Sequence, residues 1–182
     1  MANLIIRPNS DESGALTIFG SATSHYSSVN ESVTDDTNGV KGDPTGVESI
    51  DQLGLADLSL SGQITNVTVF ARAWKDIVEI GGGVRLGVRA GATNYFSSSV
   101  FLTSDVAQYN AVWSVNPYTG VAWTLAGINS LSVLLGLQGQ SNKTYHVTPY
   151  CSQLWVVVDY NASSTFIKQI MQSNFIPSFG GI

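Results

Sequence analysis

Val84-Arg85-Leu86-Gly87-Val88-Arg89-Ala90 alternates between apolar and polar side chains. Val84, Leu86, Val88 and Ala90 fall on one face, and Arg85 and Arg89 on the other. That pattern belongs to a strand with one buried and one wet side. Gly81-Gly82-Gly83 precedes it and Gly91-Ala92-Thr93-Asn94 follows it, both turn signals. Working outward, residues 64–74 repeat the alternation: Val67, Val69, Ala71 and Ala73 stand opposite Asn66, Thr68 and Arg72. Cys151-Ser-Gln-Leu-Trp-Val-Val-Val-Asp-Tyr160 is more apolar still. Leu154, Val156 and Val158 share a face there, with Trp155 and Val157 behind them, as in a central or doubly covered strand. Further strands are expected near 14–19, 25–33, 94–103, 106–115 and 131–137. Asn116-Pro117-Tyr118-Thr119-Gly120 reads as a turn with proline setting φ. Thr124 is placed to cap a short helical turn through Ala126–Asn129. Many short strands separated by turns predict an all-β fold: a single antiparallel β-sandwich, jelly-roll-like.

Two regions depart from this pattern. Residues 34–60 are rich in Asp, Gly, Ser and Thr and read as a long loop with one short strand near 47–50. After Tyr160-Asn161 the strand character ends. Phe166, Ile167, Ile170 and Met171 follow helical spacing, and Phe175, Ile176, Pro177 and Phe179 continue as an apolar tail. The expected organisation is a sandwich domain over 1–161 and a C-terminal arm over 162–182. The arm docks on its own domain or on a neighbouring subunit, with Phe166, Ile167, Ile170, Met171, Phe175, Ile176 and Phe179 as interface residues.

Composition narrows the function classes. Of the 182 residues, 43% are apolar, ample for a core without staples. Only 12% are charged, about half the usual share. A surface built from Ser, Thr, Asn and Gln repels its neighbours weakly and favours association. The net charge is −5 and the eight basic residues are scattered, which argues against nucleic acid as a partner. No stretch approaches the ~18 apolar residues of a membrane span, so no membrane partner is expected. Met1–Pro8 carries no basic leader or long apolar run, and assembly in a host cytoplasm is expected. One cysteine, Cys151, rules out an internal disulfide. The sequons at Asn30, Asn66, Asn142 and Asn161 read as chance in an Asn/Ser/Thr-rich chain.

Trp113-Ser-Val-Asn116-Pro117-Tyr118-Thr119-Gly120-Val-Ala122-Trp123-Thr124, followed by Ile128-Asn129, Leu131, Gly136-Leu137 and the Cys151–Tyr160 strand, resembles a block of structural proteins of tailed bacteriophages. Arg7-Pro8-Asn9, His25-Tyr26, Val29-Asn30-Glu31, Asp35-Asp36, Ile64–Ala73 and Val84–Val88 stand in similar order upstream. The resemblance spans roughly residues 5–160 and stops before the tail. It implies a virion component (decoration, fibre or tail), located in the virion. Trimers being common among such jelly rolls, a homo-trimer is the oligomer expected by analogy. No catalytic residues travel with the pattern. Physically, Asn116–Gly120 reverses the chain, and Trp113 and Trp123 can each bury a large ring, worth a few kcal/mol apiece.

Other chemistry finds little footing. A thiol mechanism needs Cys151 activated by a base, and His146 lies five residues earlier. Two histidines and one cysteine cannot close a Cys/His zinc site. Nucleophile-elbow and P-loop motifs are absent. Weak calcium candidates are Glu31, Asp35, Asp36 and Asn38, which with Asp43 and Asp51 supply oxygen ligands in loop; a solvated polar loop is the simpler reading. Glycoside hydrolysis needs two facing carboxylates, and Asp76, Glu79 and Asp159 show no pairing. Sugar binding has exposed-aromatic candidates in Trp74, Tyr95, Tyr109 and Tyr118. The leading expectation is a non-enzymatic virion protein without cofactors, partnered by itself and by other virion proteins. The alternative is a carbohydrate-binding or host-attachment module whose partner is a host glycan.

Overall fold

The computed structural model describes residues 1–162; beyond Ala162 the expected arm and its seven apolar interface residues lie outside the described part. Two six-stranded sheets face each other. The first contains β1 (Ala2–Ile6), β3 (Thr17–Phe19), β4 (Gly39–Lys41), β6 (Gly62–Lys75), β10 (Ala107–Trp113) and β14 (Pro149–Ala162). Its order is β10-β6-β14-β4-β3, and β1 also pairs with β14. The second contains β2 (Pro8–Ser13), β5 (Glu48–Leu55), β7 (Gly83–Ala90), β8 (Thr93–Phe96), β9 (Val100–Phe101) and β11 (Ser132–Gln138). Its order is β2-β5-β11-β7-β8, with β9 beside β7. A small ribbon joins β12 (Gln140–Ser141) to β13 (His146–Val147), and two short helices, α1 (His25–Val29) and α2 (Leu125–Asn129), close the ends. All the strand pairs are antiparallel. The chain is the all-β, jelly-roll-like sandwich that its alternation predicts.

The core lies between the sheets, built by strand parity. From the first sheet come Val67, Val69, Ala71 and Ala73 on β6 and Leu154, Val156 and Val158 on β14, all fully buried. From the second come Leu86 and Val88 on β7 and Val133, Leu135 and Leu137 on β11. Burying each Val or Leu side chain stabilises the fold by roughly 1.5–3 kcal/mol. Residues 151–160 do form a central strand: β14 has β6 on one side and both β4 and β1 on the other. Gly91 sits at φ +61 in the two-residue turn between Ala90 and Thr93. A positive φ at the first central residue is the type II′ hairpin pattern, which glycine adopts without strain.

Several expectations shift. Residues 25–33 are not a strand. Ser24 caps α1, its hydroxyl accepting from Ser27 N while Ser27 answers through the Ser24 backbone, and a reciprocal cap of that kind starts a helix. Residues 34–60 hold more than a loop: β4 and the eight-residue β5 lie within them. The acidic look of β5 was misleading because Asp51 is fully buried and satisfied. Its Oδ1 accepts from Ala15 N and Leu16 N, and its Oδ2 lies 2.6 Å from His25 Nδ1. The N-terminal β1 and β2 were not anticipated. The Thr124 cap is as expected, with its hydroxyl accepting from Gly127 N at 3.0 Å. Trp123 is 3% exposed and donates through Nε1 to Trp113 O, locking the base of the Asn116–Gly120 turn.

Candidate functional site

The outer side of the first sheet collects what the inner side excludes. On β6 the side chains opposite Val67, Val69 and Ala71 are Thr68, Phe70, Arg72 and Trp74. Register sets Phe70 between Trp155 of β14 and Asn110 of β10, and Trp74 beside Tyr150. Phe70 and Trp155 stack with centroids 5.2 Å apart and planes within 7°. Trp74 and Tyr150 stack at 5.4 Å and 10°. Phe19 of β3 meets both Trp74 and Tyr150 edge-on, at 6.1 and 5.3 Å. All five rings are half-buried. Each is held by its neighbour and still reaches the surface, so little side-chain freedom is lost on contact with a ligand. Gln108 and Asn110 present exposed amides along β10, the edge of the same face. Burial, aided by the charge of Asp76, raises the Tyr150 phenol above its ordinary pKa. Tyr150 therefore stays a neutral donor and acceptor.

Between the two ring pairs runs an ionic tie. Arg72 donates from Nε and Nη2 to the two carboxylate oxygens of Asp36, at 2.9 and 2.8 Å. Ser152 Oγ donates to the same carboxylate at 2.7 Å. Gln153 Nε2 reaches Glu31 O and Val33 O. Together these contacts hold residues 31–36 against the face as a wall. The hydrogen bond from Arg72 holds the Asp36 carboxyl below the usual range, against the opposing cost of burial.

Of the calcium candidates, Asp35, Asp36, Asn38, Asp43 and Asp51 are hydrogen-bonded within the chain. Asp36 is engaged with Arg72, and Asp35 binds its own loop through Thr37 and Asn38. Asn38 Oδ1 accepts from Ser21 N. Asp43 caps Thr45, and Asp51 is enclosed with His25. Among the described residues no group of three or more His, Cys, Asp or Glu side chains converges on a point.

Cys151 is buried, its thiol pushed up to about 12 by desolvation. His146 binds Ser141 instead, at 2.7 Å. Asp76 follows the end of β6, and Asp159 pairs with Asn66 near its start. Ten strand residues separate those positions, roughly 33 Å; paired glycosidase carboxylates stand about 5–9.5 Å apart.

Of the four sugar-stacking candidates, Trp74 belongs to the surface strip. Tyr95 and Tyr109 pack against the core, and Tyr118 lies over Gly91 in the neighbouring turn. Phe19, Phe70, Tyr150 and Trp155 were missed. Parity placed Trp155 behind the core positions of its strand and left Phe70 unassigned, and only the register across three strands shows that the rings meet. A second concavity, about 290 Å³, has Gly81–Gly83 on one side and the rings and amides of Phe101, Gln138 and Gln140 on the other.

No protein-family model matches this chain, and no curated protein matches it. Solved structures resemble it weakly. The C-terminal CBM6 of LamC, a marine laminarinase from Zobellia galactanivorans, superposes with a TM-score of 0.46 at 10% identity, covering 87% of this chain and 100% of that one. The CBM22-1 xylan-binding domain of Paenibacillus barcinonensis Xyn10C gives 0.43 at 10% identity, over 86% and 88%. The CBM35 from Cellvibrio japonicus Abf62 gives 0.37 at 12% identity, over 89% and 100%. Nothing among these matches points to a bacteriophage, and at such similarity the neighbours lend this chain no ligand.

Proposed function

We propose that this chain is a non-catalytic binding module that holds a glycan against the outer face of its first sheet. One observation carries the reading: five half-buried rings, two stacked pairs and Phe19, line a face edged by exposed amides. Sugars offer apolar C–H faces and a rim of hydroxyls. Rings on a rigid sheet, with amides beside them, match both. The sparse charge of the chain suits a hydroxyl-rich partner. On the phage resemblance, the natural setting is a virion surface, where such a module attaches to a host glycan.

A second reading is favoured by a specific feature of the same face. Ile5 is 59% and Val112 58% exposed. Val157 and Thr68 lie between them across the sheet. An apolar row of this kind also suits contact between virion subunits. Glycan-array binding by the purified chain, compared with Trp74→Ala and Trp155→Ala, tests the first reading. Loss of array binding in folded variants supports it. An array without hits, together with a mass that rises with concentration, favours the second.

A further inference from the structure

Arg7 is the corner residue between the two sheets. β1 ends at Ile6 in the first sheet, and β2 starts at Pro8 in the second. Proline at position 8 biases Arg7 toward an extended backbone. Asn30 Nδ2 donates to Pro8 O at 3.3 Å and pins the corner. Arg7 lines an open groove of about 780 Å³ together with Ile5, Asn9, Ser32, Asp57 and Leu58.

Arg7 differs from the other three arginines, of which Arg89 donates to Asn94 Oδ1. Arg72 and Arg85 are forked onto Asp36 and Glu48. Arg7 is in no ion pair among the described residues, and its Nη1 is buried without a hydrogen-bond partner there. Burial alone lowers its pKa, with no counter-charge acting against that cost. A guanidinium remains protonated in any protein, so a positive group stands partly desolvated with one nitrogen unmatched. Such a group is left unmatched where an incoming anion completes it.

The groove adjoins the aromatic face. Ile5 lines it and also pairs with Val157 on the outer side of the first sheet. Ile6, the residue before Arg7, pairs with Val156, the residue after Trp155, whose ring stacks on Phe70. A chain lying on the rings and leaving over β1 brings its next unit to Arg7.

Building on the glycan reading above, we propose that the ligand is an anionic glycan, carrying a carboxylate or sulfate that Arg7 receives in this groove. Arg7 is the specificity determinant, and the rings supply the contact area. Asn9 and Ser32 add neutral donors beside the anion. Asp57 faces the same groove and opposes a second negative charge, which limits the site to one.

The test is an array on which neutral oligosaccharides stand beside their uronic-acid, sialic-acid and sulfated counterparts, probed with the full chain. Wild type should bind anionic members above their neutral partners. Arg7→Gln should lower the ratio of anionic to neutral binding by about tenfold or more. Arg7→Lys should keep part of it, and Asp57→Asn should raise it. Whether carboxylate or sulfate members lead identifies the anion. Equal binding of neutral and anionic chains, or an undiminished anion preference in folded Arg7→Gln, overturns the inference and leaves the glycan reading standing. No binding to any member, by wild type or by Asp57→Asn, overturns both.

Discussion

Cys151 and Asp36, on the inner and outer sides of the first sheet, are an inert group and an organising one. Cys151 points into the core, where desolvation keeps the thiol protonated, so native protein should resist thiol reagents at neutral pH and react only on unfolding. Rapid labelling of the folded chain would contradict its burial. Asp36 lies outside, its pKa depressed chiefly by Arg72. A carboxyl depressed in the folded state adds stability above its unfolded pKa, and that stability is lost as pH falls through the lower folded value. Wild type should therefore lose more stability than Asp36→Asn between about pH 5 and about pH 2. The pair is partly exposed, so at neutral pH the variant should cost only about 1 kcal/mol. Equal pH profiles for the two proteins would show that the ion pair does not hold the 31–36 wall.

Among the elements, β5 was the hardest to read and is among the most informative. Strands with clean alternation, 84–90 and 64–74, were legible because each puts apolar residues on one face and polar ones on the other. β5 carries Glu48, Asp51, Gln52 and Gly54, which imitates a loop. Its place in the sheet rests on tertiary partners that no local pattern contains: Arg85 for Glu48, and Ala15, Leu16 and His25 for Asp51. Asp51→Ala leaves two backbone N–H groups and an imidazole without a partner, and should cost about 3 kcal/mol in urea unfolding. Asp51→Asn, which can still accept, should cost less. If both variants unfold at the wild-type midpoint, the buried carboxylate does not organise the 14–29 segment. Likewise, the aromatic strip was half legible. Parity put Trp155 behind its core face and Trp74 stood among the sugar-stacking candidates, but the pairing of β6 with β14 brings the rings together.

For the whole molecule, the core of the described residues lies between the two sheets of residues 1–162. A chain ending at Ala162 should fold with the same far-ultraviolet spectrum and a cooperative melt. Collapse of that truncation would mean that the apolar tail belongs to the domain. On the proposed reading, the low charge and the ringed outer face give a sparsely charged scaffold for a glycan. The most direct test of the glycan reading compares array binding by wild type with that of the folded double variant Trp74→Ala/Trp155→Ala. The account predicts glycan hits for wild type and a loss of about tenfold or more in the variant. Undiminished binding by the variant would contradict it.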